Sequence, residues 1–253
     1  MVSNPLEGHT SWVWSVAYSP DGHHIISGSY DHTIQIWDAK TGAAVGNPLE
    51  GHTSWVWSVA YSPNGCHIIS GSHDYTIRIW DANTGTAVGN PLDGHTKDVS
   101  SIAYSPNEHH IISGSDDCTI RIWDAKTGAV VSNPLKGHAS RVSSITYSLD
   151  GSHIISRSED RTIRIWDAKS GAAVGNPLEG HTDRVLSVAY SPDGHHIISR
   201  SCDCTIRTWD AEAGTTAGKP FKGHPGSIAY SSDGRHIVSG PRDNTTHIPH
   251  API

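Results

Sequence analysis

From Trp12 onward the chain alternates short runs of β-branched and aromatic residues with clusters of Ser, Asp, Gly and Pro. The first run, WVWSVAYS, closes on SPDG, and the second, HIISGS, closes on a turn centred on Asp31. The third, TIQIW, closes on DAKTG, and the fourth is AAVGNPL. Each run has strand length, is rich in β-formers and is bounded by turn residues, so each predicts a strand. No segment carries a 3.6-residue apolar period over ten residues, and almost no helix is expected.

The four-run pattern recurs. Gly-His falls at His9, His52, His95, His138, His181 and His224, and Trp-Asp at Trp37, Trp80, Trp123, Trp166 and Trp209, each series with a period of 43 residues. The units are 8–50, 51–93, 94–136, 137–179 and 180–222, followed by a degenerate unit at 223–253. Four short strands with tight turns need roughly 40 residues, so one unit reads as one four-stranded sheet. Such a sheet, apolar on both faces, is not stable alone. Copies stacked radially about an axis bury both faces, which makes 1–253 a single expected domain.

The GH…WD spacing resembles the WD40 repeat over almost the whole chain. The near-identity of the copies is also similar to the WD40 arrays at the C-termini of fungal NACHT-type receptor proteins. The resemblance implies an all-β propeller that binds other proteins. The sixth unit is three residues shorter than its siblings between His224 and Tyr230, and carries Pro249 and His250 at the Trp-Asp positions. The N-terminal VSNPLEG matches VGNPLEG from Val45, and in the family such a stray strand completes the last blade. Six blades are therefore expected, the sixth combining residues 224–250 with 2–7 and so removing exposed sheet edges. An open fragment of a larger propeller, seven blades being the family's usual number, is the alternative.

Every complete unit sets a histidine, a serine, an aspartate and a tryptophan at fixed offsets. The sets are His9, Ser27, Asp31, Trp37; His52, Ser70, Asp74, Trp80; His95, Ser113, Asp117, Trp123; His138, Ser156, Asp160, Trp166; and His181, Ser199, Asp203, Trp209. A Ser-His-Asp grouping suggests nucleophilic catalysis, but a catalytic site is one specialised place and this grouping occurs five times. The resemblance implies a structural tetrad, Asp to His to Ser to indole, that ties strands together. No catalytic residue and no enzyme activity are expected.

Function should then lie where the copies diverge. In the family, three positions per blade reach the binding face: three and five residues after the Gly-His histidine, and one before the tetrad aspartate. They hold Trp12, Trp14 and Tyr30 in the first unit and Trp55, Trp57 and His73 in the second. The third offers Asp98, Ser100 and Asp116, the fourth Arg141, Ser143 and Glu159, and the fifth Arg184, Leu186 and Cys202. Arg157 and Arg200 stand nearby, where the first three units have glycine. The expected partner-binding surface is aromatic, then acidic, then basic, with the four indoles as hot spots.

Composition narrows the partners. A net charge of −7 argues against a nucleic-acid or anionic-membrane surface, and no apolar run approaches the roughly 20 residues of a membrane span. The N-terminus lacks signal-peptide character. Four cysteines without framework spacing read as reduced thiols of a cytoplasmic or nuclear protein. Of the 19 histidines, those opening the second strands read as solvated edge residues. Cys202-x-Cys204 lacks the partner pair of a zinc site, and no Gly-rich phosphate loop is present. The expectation is a monomer without cofactor or metal that takes protein or peptide partners. A ligand-sensing module of a multidomain receptor and a propeller enzyme are the competing readings.

Overall fold

In every complete repeat the first three runs form an antiparallel sheet. The computed structural model describes residues 5–222, 228–231 and 237–239. The first repeat holds β1 (Val13–Tyr18), β2 (His24–Ser29) and β3 (Ile34–Asp38), the second β4 (Val56–Tyr61), β5 (His67–Ser72) and β6 (Ile77–Asp81). The third holds β7 (Val99–Tyr104), β8 (His110–Ser115), β9 (Thr119–Asp124) and β10 (Leu135–Lys136). β11 (Val142–Tyr147), β12 (His153–Ser158), β13 (Ile163–Asp167) and β14 (Ala173–Leu178) form the fourth. The fifth is built of β15 (Val185–Tyr190), β16 (His196–Ser201), β17 (Thr205–Asp210) and β18 (Phe221–Lys222). In the sixth, β19 (Ile228–Tyr230) pairs antiparallel with β20 (Ile237–Ser239). No helix occurs among the described residues. Pro5–Glu7 form no strand. The rest of the sixth repeat, Pro249 and His250 included, and residues 2–4 lie outside the described residues, and with them most of the expected closing blade.

The fourth strand departs from expectation. In the first two repeats it is reduced to isolated bridges, Ile34 to Leu49 and Trp37 to Ala44, then Ile77 to Leu92 and Trp80 to Ala87. Gly46 takes φ of 71° and Pro48 has no N–H to give a ladder. Yet Gly175 at 68° and Pro177 hold the same places in β14, so these two residues limit the ladder without abolishing the strand. Among the described residues β14 alone runs the full length, and its pairing shifts register between Ile163 and Ile165.

The chain divides into two compact units, Met1–Gly137 and His138–Ile253. Within the first, Ile26, Ile34, Ile36 and Leu49 of one sheet pack on Val56, Val59, Ile68 and Trp80 of the next. Ile69, Ile77, Ile79 and Leu92 repeat the arrangement against Val99, Ile102, Ile111 and Trp123. Within the second unit, Ile155, Ile163, Ile165 and Leu178 pack on Val185, Ile197 and Trp209. Each fully buried aliphatic side chain contributes about 1.5–3 kcal/mol, so the seams between sheets carry the stability that a lone sheet lacks. The approach is close: a Cβ on Gly28 would fall 2.7 Å from Val56 Cγ1. In β1, Val16 is 66% exposed where its counterpart Val59 is 5% exposed.

Candidate partner-binding site

The tetrads come first, because they hold the strand ends that carry the site. In the second repeat Trp80 Nε1 donates to Ser70 Oγ at 2.9 Å. Ser70 Oγ lies 2.7 Å from His52 Nε2, and His52 Nδ1 lies 2.7 Å from Asp74 Oδ2. An ionised carboxylate only accepts, so Nδ1 carries the proton and Nε2 accepts from the serine hydroxyl. The backbone N–H of Thr53 and the N–H and hydroxyl of Thr76 complete the Asp74 carboxylate. The same bonds link His9, Ser27, Asp31 and Trp37, and His95, Ser113, Asp117 and Trp123. They recur for His138, Ser156, Asp160 and Trp166, and for His181, Ser199, Asp203 and Trp209.

Burial alone would raise the carboxyl pKa of these aspartates. Hydrogen bonds outweigh it: those from Thr33, Thr10 and His9 hold Asp31 down at about 2, and Asp203 is likewise held at about 2 by Thr205, Thr182 and His181. Asp74, Asp117 and Asp160 are lowered by the same combination. Burial pushes His181 below its ordinary value. Chemically, the grouping has the order of a hydrolytic triad but not its access. Ser70, Ser113, Ser156 and Ser199 are fully buried, and each oxygen is already committed to an indole N–H and an imidazole. No substrate carbonyl can reach them.

Two local features then project one group of side chains per repeat. A bulge falls between Val13 and Ser15 and recurs between Val56 and Ser58, Val99 and Ser101, Val142 and Ser144, and Val185 and Ser187. The extra residue is Trp14, Trp57, Ser100, Ser143 or Leu186, and a bulge re-aims the side chain it carries. A backbone bond from Tyr30 N to Trp12 O sets those two residues side by side, as it does His73 with Trp55, Asp116 with Asp98, Glu159 with Arg141 and Cys202 with Arg184.

In the first unit these positions converge on one aromatic column. The Tyr30 ring stacks between Trp14, at 5.8 Å and 20°, and Trp55, at 4.5 Å and 12°. His73 stacks on the far side of Trp55 at 4.9 Å. Trp57 stands nearly perpendicular to all three larger rings, at 84°, 81° and 85°. Trp12 leans on Tyr30 at 5.8 Å. Trp57 Nε1 donates to Asp98 Oδ2 at 3.1 Å, and the same oxygen bonds His73 Nδ1. Trp12 is 73%, Trp14 56% and Trp55 38% exposed, while Tyr30, Trp57, His73, Asp98 and Asp116 are half-buried.

The basic positions lie in the second unit. Arg141 Nε faces Glu159 Oε1 at 3.8 Å with both side chains over a third exposed, a surface pair contributing at most about 1 kcal/mol. Arg184 is exposed, and its Nε donates to Cys202 Sγ at 3.3 Å. Two expectations need correction. Arg200 is 0% exposed and cannot present itself to a partner. Arg157 is half-buried and its Nη1 donates to Val185 O at 2.9 Å, so it belongs to the seam between neighbouring sheets. Burial lowers its pKa to about 10, with the Arg141 charge adding to the effect. Both arginines follow a tetrad serine, and side chains alternate along a strand, which sends them to the seam face occupied by Gly28 in the first repeat. The sequence reading also missed Tyr75, whose exposed ring lies 6.2 Å from His73. Its position holds His32, Tyr75, Cys118, Arg161 or Cys204 in successive repeats, and that divergence was the available signal.

A cleft of about 350 Å³ opens elsewhere in the second unit, between the turns around Leu149 and Pro192. Two of its carboxylates are already occupied, Asp150 by Ser148 and Ser152 and Asp193 by Ser191.

Repeated antiparallel sheets stapled by buried tetrads, with variable side chains on one set of strand ends, define a repeat protein of the propeller class. The chain belongs to the WD40 family: the model described as WD domain, G-beta repeat matches residues 2–38, 45–81, 86–124, 129–167, 174–210 and 216–248. The fold class is therefore an all-β propeller of six WD40 repeats. A relative, Protein Mut11 of Chlamydomonas reinhardtii, is 51% identical over 43 residues, 17% of this chain and 12% of that protein. Vegetative incompatibility protein HET-E-1 of Podospora anserina is 60% identical over 37 residues, 15% of this chain and 3% of its own length. Ribosome assembly protein 4 of Saccharomyces cerevisiae is 46% identical over 37 residues, 15% of this chain and 7% of that one. The matches thus span a small part of each relative. Among solved structures, the computationally designed Ika8 protein superposes with a TM-score of 0.83 at 28% identity, covering 97% of this chain and 73% of that one.

Proposed function

We propose that this chain is a non-enzymatic interaction module that holds a protein or peptide partner on the aromatic column of its first unit. The observation that carries the reading is the exposure of Trp12, Trp14 and Trp55 in one contiguous cluster. Water-exposed indoles contribute little to folding, and tryptophan is among the residues most enriched where interfaces concentrate their binding energy. The tetrads support the non-enzymatic part, since their serines are sealed from any substrate.

The test is partner capture by the wild-type chain beside a Trp12→Ala/Trp14→Ala variant, with thermal melts of both. The reading expects melting temperatures within a few degrees of each other and loss of capture, each indole contributing about 2 kcal/mol or more of binding if it is a hot spot. Equal capture by the variant overturns it. Similarity to the vegetative incompatibility protein favours a second reading, in which the same column senses a ligand as part of a larger receptor. Under that reading, the ligand would change the output of a linked domain.

A further inference from the structure

The aromatic column has two unlike ends. At one end Trp12 and Trp14 pack on Tyr30 and are the most exposed indoles of the cluster. At the other end His73 closes on Trp55, and Asp98 ties His73 to Trp57 through its Oδ2. Asp98 Oδ1 accepts no hydrogen bond from the described residues, and its side chain is part-exposed. Asp98 Oδ1 thus offers a carboxylate acceptor beside His73 and Trp57. Trp57 links the two ends, its ring 5.0 Å from Trp14 and its Nε1 3.1 Å from Asp98 Oδ2. This puts the carboxylate within about 10 Å of the Trp14 ring, a length that about three residues of extended chain cover at roughly 3.3 Å per residue.

We infer that the column takes an extended peptide in which an apolar side chain and an arginine or lysine stand about three residues apart. The apolar side chain lies against Trp12 and Trp14, and the cation reaches Asp98. Arginine fits better than lysine, because its planar guanidinium both donates a pair of bonds to a carboxylate and stacks on aromatic rings. The inference rests on the column being the partner site and adds the chemistry of what it reads.

Nine-residue peptides on a Gly/Ser background provide the probe: leucine at position 3 with arginine at position 6, the same peptide with glutamine or glutamate at position 6, and one with leucine and arginine adjacent. Binding to the full chain is read from intrinsic tryptophan fluorescence, to which the column supplies four of the nine tryptophans. The arginine peptide should bind at least ten-fold tighter than the glutamine and glutamate peptides, and several-fold tighter than the adjacent arrangement. Asp98→Asn should erase the arginine-to-glutamine difference and leave the glutamine peptide unchanged. Equal binding of the glutamine or glutamate peptide, indifference to spacing, or no saturable response to the arginine peptide overturns the inference. Because the first comparison changes only the peptide, it does not depend on how the variant folds. Loss of partner capture in Trp12→Ala/Trp14→Ala but not in Asp98→Asn sinks this inference alone. Capture that survives the tryptophan changes sinks the site itself.

Discussion

Replacing Ser70 by alanine removes one oxygen and strands two partners. The Trp80 indole N–H loses its acceptor and His52 Nε2 loses its donor, and all three residues are buried. An unsatisfied buried group costs about 1–3 kcal/mol, and the serine hydroxyl no longer has to be desolvated, so the expected loss is about 2–3 kcal/mol. For a chain of this size, 1 kcal/mol moves the melting temperature by roughly 2–4 °C, which predicts a drop of about 4–12 °C. The assay is thermal and urea unfolding followed by far-UV circular dichroism and tryptophan fluorescence. Trp80→Phe keeps a ring in the seam but strands the same serine, so a cycle isolates the bond. The double variant Ser70→Ala/Trp80→Phe should cost less than the two single losses combined, by at least about 0.5 kcal/mol, because residues sharing a bond couple. A Ser70→Ala variant within about 0.5 kcal/mol of wild type, or strict additivity, refutes the tetrad as a stabilising network.

Glu108 takes φ of 64° at the turn position where the other complete repeats carry Gly22, Gly65, Gly151 and Gly194 at 73–75°. Left-handed backbone costs a non-glycine residue about 1–2 kcal/mol, and the exposed Asn64–Glu108 bond that would be lost is weak. Glu108→Gly should therefore raise stability by about 0.5–1 kcal/mol in a urea titration, and a decrease would contradict the strain argument. Acid should destabilise in two stages. The tetrad aspartates titrate lower folded than unfolded, so their contribution is complete above about pH 4 and is lost as pH falls through about 2. His181 is also lowered, so only the unfolded chain gains its proton just below pH 6.5, and stability begins to decline there. A melting temperature higher at pH 3 than at pH 7 would reverse the sign and reject the assignment.

The parts of this chain legible in its sequence are those that repetition and alternation spell out. HIISGS and TIQIW read as strands because each is short, rich in Ile and Thr, and bounded by turn residues, the turn at Asp31 and DAKTG. The tetrads were legible as a pattern, since no single site would be copied five times. Their bonds required the fold, which brings His52 to Ser70 and Asp74 across two turns. The fourth run, AAVGNPL, holds a single strong β-former, Val45. The same Gly and Pro occur in the bridges of the first repeat and in the full strand β14, so its composition could not say how much of it would pair. Arg200 was misassigned because neighbouring residues in a strand face opposite ways, and a shift of one position separates the rim from the seam.

The column itself was only half legible. Its residues could be found by asking where the repeats differ, but its stacking depends on Tyr30 of one repeat inserting between Trp14 of its own sheet and Trp55 of the next. That insertion is set by the seam. Gly28, two residues before Tyr30, lets the second strand approach Val56 so closely that no larger side chain fits without displacement. Where arginine replaces that glycine, at 157 and 200, no aromatic column forms among the described residues, and the rim carries Arg141, Glu159, Arg184 and Cys202 instead. Gly114 holds the same place in the third repeat, whose rim offers Asp98, Ser100 and Asp116, so the glycine permits the close approach and the rim residues themselves supply the rings. Gly28→Ala should loosen Tyr30 from Trp55 and weaken binding on the column more than it weakens the fold.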